Sequence, residues 1–160
     1  TEAAQLDRLV EQLGLWIRLL GGDYKVRSQR VDLAAVLGER LEGWLTLPAE
    51  PVAVMADKGL LLPAAEGIRD FLKAYVQHNE EAGVRVSTNG RMAVHGPLTL
   101  VPVLQTVTNS PVPDLQAAGG PAMWLIGPAL AVAACRACGG EAWLEDDERH
   151  CTLWLAWPAA

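Results

Sequence analysis

Four residues in the last third of the sequence have the types and spacing of a zinc site. Cys135 and Cys138 form a C-x-x-C pair, and His150 and Cys151 follow. Zinc takes four such ligands in a tetrahedron, with Zn–S near ~2.3 Å. The same C-x-x-C could act as a redox dithiol, but that chemistry needs a thiolate and therefore a helix N-terminus. The neighbouring residues argue against both. Alternating residues make 141–145 and 151–157 the two strands of a hairpin around the acidic turn DDER. Cys151 then lies opposite the far end of the first strand. Four strand residues at about 3.3 Å each put it more than ~10 Å from Cys138. The C-x-x-C closes a run of small apolar residues and precedes Gly139-Gly140, the pattern of a last helical turn with a glycine cap. At that end the helix dipole opposes a thiolate. The cysteines therefore read as small core hydrophobes, and no metal is expected on them.

With 160 residues the chain is expected to form one domain with a sizeable core. Half of it is apolar (51%) and a fifth charged, the balance of a globular protein. A net charge of −6 lacks the basic footprint of phosphate-backbone binding, so nucleic acid is not an expected partner. An odd cysteine count (three) argues against a secreted disulfide framework. No apolar run approaches the ~20 residues that span a bilayer, and TEAAQLDRL is not a signal peptide. The expectation is a cytoplasmic segment without membrane contact. It opens inside a helical pattern and without Met, as a piece of a longer protein would.

Residues 3–20 place Leu6, Leu9, Leu13, Ile17 and Leu20 at helical spacing, and Gly21-Gly22 ends the run. After the polar link DYKVRSQR, Asp32 suits an N-cap for a helix with Leu33, Val36, Leu37, Leu41 and Trp44 on one face. VAVMA (52–56) reads as a strand. Asp57 caps a helix whose stripe is Leu60, Ala64, Ile68, Phe71, Leu72, Tyr75 and Val76, with Pro63 either starting or kinking it. Val84, Val86, Met92 and Val94 alternate around Asn89-Gly90, a hairpin signal. Residues 97–121 read mostly as loop with one short element around 98–107. Pro121 can open the next helix, which Gly127-Pro128 interrupts. The acidic run Glu145–Glu148 reads as a solvated turn. The order is α-α-β-α-β-β-loop-α-β-β, a mixed α+β sandwich with mostly antiparallel pairing.

Several strings in this order resemble the ATP-binding domain of bacterial sensor histidine kinases, the Bergerat or GHKL type, across nearly the whole chain. LDRLVEQLGLWIRLLGGDYKVRSQRVDLAAVLGERL resembles the end of a dimerisation hairpin and its "V-D-L" entry. VMADKGLLLPAAEGIRDFLKAY resembles the strand and Asn-box helix, GPALAVAACRACGGEAWLE the glycine-box helix and next strand, and CTLWLAWP the closing strand. The resemblance implies a two-layer α/β sandwich with a mixed, mostly antiparallel sheet and a helical layer. It also implies a division into 1–30, the end of a dimerisation helix plus linker, and 31–160, the ATPase-like domain.

The family's chemistry is where this sequence departs. The Asn-box helix carries two asparagines four residues apart, one of which holds Mg²⁺ on the ATP phosphates. Here Gly67 and Phe71 take those places, and Tyr75 matches a common aromatic. A one-residue shift supplies Glu66 and Asp70 instead, oxygen ligands that suit Mg²⁺. The Asp of D-x-G-x-G, which reads adenine, is replaced in VHGPL by His95 with Gly96. The glycine box survives as Gly127 followed by Pro128, and proline removes an N–H of the kind that cradles phosphate. None of His78, His95 and His150 has the context of the family's phosphoacceptor. These departures imply a degenerate domain, a pseudokinase serving as a regulatory or interaction module in two-component signalling, with no cofactor expected. Its partners would be a response regulator or a kinase protein, with a homodimer through Leu6, Leu13 and Ile17 unless that helix packs back on its own domain. The alternatives are a divergent active kinase, using Mg-ATP with Glu66 and Asp70 on Mg²⁺ and Lys73 near the phosphates, or an ATP-independent histidine phosphotransfer protein with its acceptor upstream of Thr1.

Overall fold

The computed structural model describes residues 2–77, 79–109 and 122–160. His78, Pro121 and the rest of the 110–121 segment lie outside the described residues. Helix α1 spans Glu2–Leu20 and ends at Gly22 in the left-handed region, φ 75°. Strand β1 (Gln29–Asp32) leads into the short helix α2 (Leu33–Gly38), where the Asp32 carboxylate accepts from Ala35 N at 3.3 Å. Strands β2 (Leu45–Thr46) and β3 (Ala53–Ala56) precede α3 (Lys58–Tyr75). Asp57 caps α3 by accepting from Gly59 N at 2.9 Å. Strands β4 (Gly83–Val86) and β5 (Arg91–Pro97) follow, then a single 3-10 turn and α4 (Val101–Asn109). The chain closes with a second 3-10 turn, α5 (Ile126–Ala137), β6 (Glu141–Asp146) and β7 (His150–Ala156).

Five strands form one sheet in the order β2-β4-β5-β7-β6. Only β2–β4 is parallel; the other pairs are antiparallel. The expected VAVMA strand does not join it. It pairs antiparallel with β1, which begins in the last two residues of the segment read as a linker and runs on to the Asp32 cap. Val54 and Ala56 go into the core on one side of that small ribbon. Val84, Val86, Met92, Val94, Leu153 and Leu155 bury one face of the large sheet against Leu60, Ala64, Ile68, Phe71, Leu104 and Leu130 of the helices. Each such side chain contributes about 1.5–3 kcal/mol by leaving water. The architecture is the expected α+β sandwich, a helical layer on a mixed and mostly antiparallel sheet.

Three local expectations change. The second helix stops at Gly38, so Leu41 and Trp44 reach the core from the following turn. Pro63 lies inside α3, which begins five residues earlier, and removes only the bond to the Gly59 carbonyl. Gly127-Pro128 does not interrupt a helix. Both fall in the first turn of α5, where backbone N–H groups have no intrahelical partner and proline costs nothing.

The glycine cap forms as expected. Gly139 sits at φ 89°, with Gly139 N on Arg136 O at 3.0 Å and Gly140 N on Cys135 O at 2.9 Å. Cys151 stands opposite Asp146 in the β6–β7 ladder, whereas Cys135 Sγ lies against the carbonyls of Glu141 and Ala156 at its other end. Burial pushes the Cys135 thiol up to about 12 and the Cys151 thiol up to about 11, the wrong direction for a nucleophile or a metal thiolate. Among the described residues no group of three His, Cys, Asp or Glu is gathered to hold a metal.

Candidate functional site

The residues assigned to a nucleotide by resemblance divide between two places. Glu66, Gly67, Asp70, Phe71, Lys73 and Tyr75 lie along α3, and Gly127 faces them from the first turn of α5. Here the two helices touch backbone to backbone. A Cβ at Gly67 would collide with Cα of Gly127, and a Cβ at Gly127 with the carbonyl of Gly67. Phe71 is fully buried and stacks on Tyr75 with ring centroids 4.9 Å apart. Burial raises the Tyr75 phenol pKa. Gly67, Phe71 and Tyr75 thus make the packing stripe of α3.

Helix α1 closes this junction from outside. The turn cap at Gly21-Gly22 folds it back so that Gln12 and Trp16 are buried against α3 and α5. The Gln12 amide reaches the Gly67–Gly127 contact, its Oε1 lying 2.9 Å from the point a Gly67 Cβ would occupy. Its Nε2 has no hydrogen-bond partner among the described residues. One turn earlier, Arg8 Nε donates to Asp70 Oδ2 at 3.2 Å and Nη2 to Oδ1 at 3.5 Å. Arg69 Nε adds a third contact to Oδ1 at 3.4 Å. The Asp70 side chain is only 4% exposed. Glu66 is engaged as well, accepting from Arg40 Nε at 2.6 Å. Both carboxylates that the shifted register would give to Mg²⁺ are therefore held by guanidinium groups. As arranged they do not fit that ion, which needs free oxygen ligands.

Among the described residues two spaces reach Lys73, one of about 350 Å³ between Trp44, Lys73, Val76, Gln77 and Glu80 and one nearer the junction. The latter, a cavity of about 220 Å³, lies between Gln5, Asp70, Lys73, Ala74 and Trp124. That falls below the range of about 300–1,000 Å³ that holds a cofactor-sized ligand. Lys73 is exposed at its edge.

His95 and Gly96 do not join this junction. Gly96 points inward under Leu100. His95 points to the opposite face of the sheet, because successive strand residues alternate sides. There it lines a polar cavity with Thr46, Glu81, Arg85, Asp147, His150 and Thr152. Burial, with Arg85 and His150 nearby, lowers its pKa despite Glu81.

Sequence reasoning missed Arg8 and Gln12, whose partners lie over fifty residues away. It also read Glu145–Glu148 as merely solvated. Instead the Glu145 carboxylate accepts from both Trp143 Nε1 (3.1 Å) and Trp154 Nε1 (3.0 Å), a cross-strand pair with rings 6.2 Å apart. Arg91 lies over the Trp143 ring at 5.4 Å. Asp147 accepts from the backbone N–H groups of Arg149 and His150, which lowers its pKa.

A helical layer on this five-stranded mixed sheet is the fold of histidine-kinase ATP-binding domains. No family model matches the sequence, and no curated protein does. Solved structures do match. The histidine kinase AdeS of Acinetobacter baumannii aligns over 97% of this chain and 80% of its own, with TM-score 0.61 and 14% identity. The cytoplasmic segment of the histidine kinase QseC aligns over 98% and 95%, at TM-score 0.56 and 16% identity. The ATP-binding domain of PrrB from Mycobacterium tuberculosis aligns over 83% and 98%, at TM-score 0.51 and 16% identity. At these identities the likeness establishes the fold. Among the described residues no helix is long and apolar enough to cross a membrane.

Proposed function

We propose that the chain is a degenerate histidine-kinase-type ATPase domain, a pseudokinase that acts as a regulatory or interaction module in two-component signalling. One observation carries the reading: α1 sits on the α3–α5 face that the resemblance gives to nucleotide, with Gln12 on the Gly67–Gly127 contact and Arg8 on Asp70. The absence of any asparagine from α3 supports it. The module would work in the cytoplasm, without a cofactor, through contact with a response regulator or a kinase protein. Its 1–30 segment would be the end of a dimerisation helix and 31–160 the ATPase-like domain.

Calorimetric titration with Mg-ATP tests the reading, on the chain itself and on Arg8→Ala, which frees Asp70 and loosens α1. Neither protein is expected to bind. Binding by the chain tighter than about 100 μM, roughly −5.5 kcal/mol, overturns the reading in favour of an active kinase. Binding by Arg8→Ala alone overturns it too, in favour of a competent site that α1 covers.

A further inference from the structure

The helices cover one face of the five-stranded sheet. The other face carries Arg85, His95, Thr152, Trp154 and Trp143, none of them in the core. Near its β2 edge this face holds a cavity of about 390 Å³, lined by Thr46 of β2, Arg85 of β4, His95 of β5, His150 and Thr152 of β7, with Glu81 and Asp147 from the adjoining turns. We propose that this cavity is a binding site for a small oxyanion, of phosphate or carboxylate type, held by Arg85, His95, His150 and the two threonine hydroxyls.

The donors converge because of strand register. Thr46 stands opposite Arg85 in the parallel β2–β4 pair, and His95 stands opposite Thr152 in the antiparallel β5–β7 pair. His150 lies two residues before Thr152 on the same side of β7, on the diagonal to His95. Gly83 faces His95 in the β4–β5 pair, where a Cβ would only touch the imidazole, at 3.4 Å from Nε2, but would collide with the Trp44 carbonyl at 2.7 Å. Among the described residues the side chains of Arg85, His95, Thr46 and Thr152 make no hydrogen bond or ion pair with protein. A guanidinium fork that makes no ion pair among the described residues, beside a half-buried imidazole, is an arrangement that an oxyanion completes.

The free donors, rather than the net charge of the lining, favour an anion: Glu81 and Asp147 offset Arg85, but both carboxylates face other partners. Asp147 accepts the Arg149 and His150 N–H groups at 2.7 and 2.8 Å, and Glu81, largely in solvent, lies 3.8 Å from His150 Nε2. Arg85 and His150 both act against protonation of His95, and only Glu81 favours it. A metal ion would meet the same guanidinium. A bound oxyanion would instead favour the imidazolium forms. Its binding must therefore raise the His95 pKa, and it must strengthen as pH falls toward the His95 value, which burial and Arg85 hold below the ordinary 6.5.

The test titrates inorganic phosphate, and separately acetate, into the full chain at constant ionic strength, following the His95 and His150 imidazole signals by nuclear magnetic resonance. Saturable shifts of both signals are expected, and the affinity for acetate, which stays largely ionised over the range in which phosphate changes charge, should improve as pH falls toward the lowered His95 value. Arg85→Gln, an exposed substitution, should weaken binding about tenfold or more, while Arg91→Gln at the other end of the same face should not. Saturation by phosphate alone assigns a tetrahedral oxyanion, and saturation by both assigns oxyanions generally. The proposal is overturned if neither anion saturates at about 50 mM, or if Arg85→Gln binds as the parent does.

Discussion

Gly67 and Gly127 set the closeness of α3 and α5, and their role separates sharply from that of other helical glycines. A methyl group at Gly67 meets the backbone of Gly127 and the Gln12 amide, and backbone cannot swing away as a side-chain tip can. Gly67→Ala and Gly127→Ala should each lower stability by about 1–3 kcal/mol in urea unfolding, as overpacking does. Gly14, on the exposed side of α1, has open space at the same position. Gly14→Ala should raise stability by about 0.4–1 kcal/mol, since it removes backbone freedom from the unfolded chain and adds helix propensity. Opposite signs at the two kinds of glycine test whether the α3–α5 contact is as tight as described. If Gly67→Ala is neutral, space exists there that a ligand could also use.

At the scale of elements, Asp57 does more than cap α3. Its Oδ1 accepts from Gly59 N, while Oδ2 accepts from Tyr24 Oη at 3.1 Å and from Arg27 N at 2.9 Å. One buried carboxylate thus ties the segment after α1 to the start of α3. The Tyr24 phenol pKa is raised by burial first and by Asp57 second. Asp57→Ala leaves three donors without their acceptor and should cost about 2–4 kcal/mol, against about 1 kcal/mol for Tyr24→Phe. Because the two share one bond, the double variant should be close to Asp57→Ala alone, and hydrogen exchange in 21–28 should rise in both Asp57 variants. Additive losses would show that Tyr24 acts elsewhere. The N-cap was legible because Asp precedes an apolar stripe of helical period. The tie was not, because its partners lie thirty or more residues back in a polar stretch with no period. The same reasoning covers β1 and β2. Short strands in DYKVRSQR and around Leu45 gain their pairing from β3 and β4, not from any alternation of their own. Hairpins carry local turn signals, and both appeared where Asn89-Gly90 and DDER put them. At the candidate site, periodicity put Phe71 and Tyr75 on one stripe of α3, and the resemblance added Gly67. Only the strand pleat could show that His95 faces away from them.

For the molecule as a whole, α1 has more than one apolar side. The residues at Leu9, Gln12, Trp16 and Leu19 face the domain, half-buried or buried. Leu6, Val10, Leu13, Ile17 and Leu20 remain exposed, from 39% at Leu20 to 69% at Val10. Both expectations for this helix therefore meet in one element: it packs back on its own domain and still presents Leu6, Leu13 and Ile17. Their spacing of four, three, four and three residues is that of a coiled-coil seam, a stripe which water leaves uncompensated. Two heptads are short for an isolated coiled coil. Here, however, Trp16 and Gln12 hold the helix in place before association, so little helix-forming entropy remains to be lost. We expect a concentration-dependent homodimer with Kd on the order of 10–100 μM, read by sedimentation velocity. Leu13→Glu with Ile17→Glu should leave a monomer at all concentrations with an unchanged unfolding transition, because both side chains are outside the core. A chain that stays monomeric at several hundred micromolar would remove the homodimer from the proposed function. So would a dimer that survives both charges, since the contact would then lie on another surface.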